Sequence, residues 1–121
     1  MISVRVDPAD QRIELKVDQP VEEPDLRRIL AEIKDGVSKM RPGWLMISDF
    51  RGLKLVSPKL DTYIADIQKT VISGSPRKIA VLLDSPLLKI QLGVGSVAVR
   101  SESITRRFEN EQAWLAFIEA P

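Results

Sequence analysis

The chain predicts an α/β domain built on a mixed, mostly parallel sheet, and three observations carry that reading. Trp44-Leu45-Met46-Ile47-Ser48-Asp49 and Ile79-Ala80-Val81-Leu82-Leu83-Asp84 are apolar runs that do not alternate, each closed by an aspartate. Such runs belong to strands covered on both faces, the habit of parallel sheets. Both are followed by a Ser-Pro pair, Ser57-Pro58 and Ser85-Pro86, which opens a helix by hydroxyl capping and a ring where no N–H is needed. Strands alternating with helices make βαβ units, whose crossovers are right-handed.

The elements follow in the order ββα-βα-βα-βα. Val4 and Val6 alternate with polar neighbours, as do Ile13, Leu15 and Val17, and Pro8-Ala9-Asp10-Gln11 joins them. This is an antiparallel hairpin that adds an edge strand to the sheet. A helix from Pro24 carries Leu26, Ile29, Leu30, Ile33, Val37 and Met40 on one face, with Glu22, Glu23 and Asp25 at its positive end and Lys39 and Arg41 at its negative end. Pro42-Gly43 stops it. After the first buried strand and an irregular loop, a helix from Pro58 carries Leu60, Ile64, Ile67 and Val71. It ends at Ser73-Gly74-Ser75-Pro76. The second buried strand is followed by a helix from Pro86 to about Ala98, a short strand between Ser103 and Phe108, and a last helix from near Asn110 with Trp114, Leu115 and Ile118. Trp44 and Trp114 are core anchors. A single domain, 1–121, is expected, with no internal repeat beyond the strand–Asp–Ser–Pro echo.

Composition narrows the chemistry. The chain has 121 residues, 44% of them hydrophobic, enough for a real core. Eighteen basic and seventeen acidic side chains give a net charge of +1, with the signs interleaved, so no nucleic-acid or anionic-membrane footprint stands out. Cysteine and histidine are both absent. That excludes disulfides, thiol nucleophiles, the usual zinc ligand sets and histidine-based acid–base catalysis. No apolar stretch approaches the ~20 residues of a membrane span, and no signal peptide is visible, so a cytoplasmic setting is expected.

The candidate residues lie at one edge. In open α/β sheets ligands bind outside the carboxyl ends of the strands, where Asp49 and Asp84 are placed. If the two strands are neighbours, these carboxylates either approach closely enough to share Mg²⁺ and a phosphate or simply cap the turns that follow them. Arg51 is placed to pair with either acid, to bind an anionic ligand or partner, or to stand in solvent. Ser57 and Ser85 are helix caps or phosphate sites. Leu92-Gly93-Val94-Gly95-Ser96 lacks the third glycine and the lysine of nucleotide-binding loops.

The Pro86–Ala98 stretch, read as a helix, is unusually apolar. Leu87, Leu88, Ile90, Leu92, Val94 and Val97 surround a polar strip of Lys89, Gln91, Gly93 and Ser96. A sheet face covers only part of such a helix. Leaving leucine-sized side chains wet costs about 1.5–3 kcal/mol each. A homodimer, another protein or an apolar small ligand is therefore expected at Leu87, Leu88, Ile90, Leu92 and Val94.

The hairpin and helix, the strand end Ser48-Asp49-Phe50-Arg51-Gly52, the strand Ile79–Asp84 and the closing Phe108-Glu109-Asn110-Glu111-Gln112-Ala113-Trp114-Leu115 together resemble the SpoIIAA-like group, the STAS and Sec14-type domains. The resemblance covers essentially the whole chain and implies a right-handed β-α superhelix. Its STAS side implies a non-enzymatic regulatory or protein-interaction module without cofactor. In anti-sigma-factor antagonists of that side a serine at the start of the helix after the strand end is phosphorylated. The equivalent place here is Ser57-Pro58-Lys59, with the phosphorylatable position itself on Pro58. The Sec14 side implies a pocket for a lipid-like ligand, and thus a carrier or sensor. A metal-dependent phosphoryl enzyme using Asp49 and Asp84 is the remaining reading.

Overall fold

In a computed structural model of the chain, residues 2–53, 57–84 and 103–121 are described. Strands β1 (Ile2–Asp7) and β2 (Arg12–Val17) form the expected antiparallel hairpin. Gln11 closes its turn at φ 53°, and the Gln11 side chain donates to Pro8 O at 2.8 Å. β3 (Leu45–Asp49), β4 (Lys78–Leu82) and β5 (Thr105–Phe108) continue the sheet in the order β1-β2-β3-β4-β5, every pair after the first being parallel. All five residues of β3 are buried, as an unbroken apolar run at the middle of a covered sheet should be.

Helix α1 (Glu23–Val37) joins β2 to β3, and α2 (Asp61–Ser73) joins β3 to β4. α1 starts where Asp25 accepts the Glu22 backbone N–H at 2.9 Å, closing the first turn with a carboxylate at the positive helix end. It stops at Val37, earlier than the apolar stripe through Met40 suggests. Lys39 and Met40 make tighter bonds to Gly36 O and Val37 O, and the Ser38 hydroxyl bonds Asp35 O. Gly36 sits in this last turn. A Cβ there would meet Val6 Cγ2 at 2.7 Å, so the backbone of α1 presses directly on β1, and glycine weakens the last turn. The helix expected from Pro58 begins as one 3₁₀ turn, Pro58–Leu60, before the α-helical stretch.

Two apolar layers flank the sheet. On one face Leu26, Ile29 and Ile33 of α1 and Val71 of α2 pack on Ile13, Leu15, Met46 and Val81. On the other, helix α3 (Glu111–Glu119), capped by the Asn110 side chain at Ala113 N, packs Trp114 and Ile118 on Leu45, Ile47, Ala80 and Leu82. Strand parity divides β3 and β4 cleanly between them. Trp44 and Trp114 are core anchors as expected, with 1% and 7% exposure. Trp44 lies with the α1–α2 layer, its indole N–H donating to Gly74 O at 2.7 Å. The Pro86–Ala98 helix of the sequence reading lies outside the described residues.

Candidate functional site at the carboxyl edge of the sheet

Asp49 is the last residue of β3 and shares its parity with Leu45 and Ile47, so its carboxylate emerges on the α3 side. There Arg51 closes on it as a fork. Nε reaches Oδ1 at 3.1 Å and Nη2 reaches Oδ2 at 2.8 Å, and the Arg51 backbone N–H adds a third bond to Oδ1 at 3.2 Å. Two parallel charge-assisted bonds of this kind fix orientation as well as charge. Arg51 Nη2 also lies 3.5 Å from Glu111 Oε1, tying the edge to the first turn of α3.

With only 9% of Asp49 exposed, burial pushes its pKa up. The bonds from Arg51, its charge and that of Lys16 outweigh this and hold the carboxyl below its ordinary value. Lys16 stands opposite Asp49 in the β2–β3 register. Arg51 is shifted up in turn, chiefly by its bonds to Asp49.

Asp84 behaves differently. It lies beyond the end of β4 and accepts the Gly52 backbone N–H through Oδ2 at 2.9 Å. Gly52 has φ +84°, and a Cβ on it would meet Asp18 O at 3.0 Å, so the turn after β3 is held between the β2 end and the β4 end. Phe50 N–H to Leu82 O and Leu53 N–H to Phe50 O complete that turn. The two acids are brought to one edge, as expected from neighbouring strands. Each is committed to a donor of the Phe50–Leu53 turn, the turn-capping alternative of the sequence reading.

Ser57 is exposed and caps the 3₁₀ turn, its hydroxyl accepting the Lys59 N–H at 3.4 Å. Ser85 and the expected apolar surface of Leu87, Leu88, Ile90, Leu92 and Val94 lie outside the described residues. Lys16 and Glu111 complete the charge set around Asp49 and Arg51 and were not anticipated. Lys16 follows once β2 is known to lie beside β3, whereas Glu111 depends on where α3 docks.

A cavity of about 130 Å³ lies against the α1–α2 face, lined by Ile29, Met46, Ser48, Leu53, Ile67 and Val71 among others. Among the described residues no group of three or more His, Cys, Asp or Glu could hold a metal ion, and no helix is long and apolar enough to cross a membrane.

Mixed sheet, hairpin edge, helices between parallel strands and a closing helix on the opposite face invite comparison with solved structures. The crystal structure of an uncharacterized protein from the DUF3478 family with a SpoIIAA-like fold, from Shewanella loihica PV-4, aligns over 98% of this chain and 92% of its own, with a TM-score of 0.62 and 13% identity. The chain has a SpoIIAA-like fold. No family model and no curated protein sequence matches it. At this identity the SpoIIAA-like likeness is one of architecture, and the expected β-α superhelix is what it shares.

Proposed function

We propose that the chain is a non-enzymatic interaction module of STAS-like type, acting in the cytoplasm through contacts with other proteins. The carboxyl edge of β3 and β4 is its working surface. The observation that carries this reading is the Arg51 fork on Asp49. It keeps the acid ionised and occupied, which suits a fixed surface and does not suit a group that must trade protons or take up a metal. Asp84, spent on the Gly52 N–H, supports the same reading. Among the described residues, the half-exposed Arg51 side chain, flanked by Glu111, faces outward at this edge, with Lys16 and Asp84 exposed beside it. Ser57 is a further exposed group on the segment that leads into α2. Self-association belongs to this reading.

The test has two arms. Phosphate-ester, acyl and glycoside substrates, with and without Mg²⁺, should give no turnover above background. Turnover lost in both Asp49→Asn and Asp84→Asn would establish the phosphoryl-enzyme reading instead. Intact-complex mass spectrometry of the natively purified protein should show a complex of fixed stoichiometry with a different protein, and Arg51→Glu should weaken that complex. A stoichiometric apolar small molecule in its place would establish the carrier.

A further inference from the structure

Among the described residues no strand pairs with the outer side of β1, and its alternation can be read from two independent contacts. Leu45 N–H donates to Gln11 O, which continues into a parallel β2–β3 ladder, so the odd-numbered residues of β2 turn their backbone toward β3. The even-numbered Arg12, Glu14 and Lys16 therefore bond to β1, where they face Asp7, Arg5 and Ser3. This leaves the backbone groups of Ile2, Val4 and Val6 pointing away from the sheet. Arg28 confirms the parity from outside, since its Nη2 donates to Ile2 O at 3.0 Å. The side chains of these same three residues are half-buried on the α1 side. Beside them runs an open groove lined by Val4, Val6, Ala31, Glu32, Asp35 and Lys39.

We propose that β1 is a homodimerisation edge: two copies pair antiparallel through β1 about a two-fold axis at Val4, making one continuous sheet. The alternation and the charges select this register. Centring on Val4 sets Val4 against Val4 and Ile2 against Val6, all with outward backbone groups, and sets Ser3 against Arg5 on the opposite face. Centring one residue further along puts Arg5 against Arg5, a like-charge pair directly opposed. Along α1, Arg28 stands by Ile2 and Asp35 by Val6, so the same axis brings Arg28 of one copy to Asp35 of the second copy. The half-covered valines then fill the groove of the second copy. The Ile2 carbonyl stays with Arg28. The intermolecular bonds fall on the reciprocal Val4 groups and on Ile2 N–H to Val6 O. At the other edge, β5 carries adjacent arginines, Arg106 and Arg107, the kind of charge that blunts edge pairing.

This inference identifies a second copy as partner and rests on the interaction-module reading only for self-association. Sedimentation of the full chain tests it separately from the turnover assay. Wild type should be a dimer at high micromolar concentration. Val4→Pro removes an N–H that points away from β2, so the internal ladder and the circular dichroism should survive while the dimer is lost. Ser3→Glu, facing Arg5 of the second copy, should tighten the dimer by about threefold or more, and Ser3→Arg should loosen it by a similar factor. The Ser3 pair decides the matter if Val4→Pro fails to fold. A monomeric wild type overturns the proposal. So does a dimer that persists in folded Val4→Pro, or one indifferent to the sign of charge at Ser3.

Discussion

Asp49 and Asp84 close neighbouring parallel strands after near-identical apolar runs, yet they stand at different heights and do different work. The register pairs Asp49 with Leu82, so Asp84 lies two residues further out than its counterpart. Asp49 is still inside the sheet, buried, and must be charge-compensated where it stands; Arg51 does this with both ends of a fork. Asp84 is exposed, clear of the sheet, and reaches back to hold a backbone N–H. Similar strand endings thus become an anchor and a strap because the strands are offset. A motif repeated in sequence does not make a symmetric site unless the register repeats it too.

The sharpest way to break the contrast is to remove each acid in turn. Asp49→Ala leaves the Arg51 charge without its partner beside a covered sheet edge, and should cost about 1–3 kcal/mol in urea unfolding. That range is discounted for the half-exposed arginine. Arg51→Ala should cost nearly as much, and the double variant much less than the sum, because the two act as one unit.

The same anchor gives a pH signature. Asp49 is held below its ordinary value of 3.8, so its contribution is complete above that value and fades as pH falls through the lower, folded-state pKa. The stability gap between wild type and Asp49→Asn should accordingly be constant from pH 5 to 7 and shrink only in stronger acid. A gap that closes already at pH 5 would show that the fork does not lower the pKa.

The next effect in size tests the strap from its other end. Gly52→Ala forces a side chain into the left-handed region against Asp18 O and should cost about 1–2 kcal/mol. Asp84→Ala removes one exposed hydrogen bond to that turn and should cost at most about 1 kcal/mol, visible as faster amide exchange at Gly52 more clearly than as lost stability. If Asp84→Ala proves as damaging as Asp49→Ala, the anchor–strap distinction is wrong.

The sheet was open to reading because its evidence is local. Alternation in Val4–Val6 and Ile13–Val17, unbroken burial in Leu45–Ile47, and the start of the last helix near Asn110 each show in a few adjacent residues. The end of α1 is less legible: Met40 fits the apolar stripe, yet the chain after Val37 turns on i−3 bonds from Lys39 and Met40. The edge was half legible. Strand ends place Asp49 and Asp84 side by side, and Asp–x–Arg allows the fork. The two-residue offset, Lys16 across the ladder and Glu111 from α3 depend on register and docking, which no short stretch of sequence encodes.

The separation of the two tryptophans has a practical consequence. One indole sits in each layer, on opposite sides of the sheet. Trp44 is hydrogen-bonded through Nε1 to a carbonyl, and Trp114 is buried with no partner on Nε1 among the described residues. Their emission should differ in wavelength, and a chain carrying only one of them becomes a dye for one side of the molecule. Trp44→Phe and Trp114→Phe thus turn ordinary fluorescence into a two-channel readout of whether both sides melt together. With no native cysteine, a single engineered thiol can carry an acceptor dye to either channel without competition.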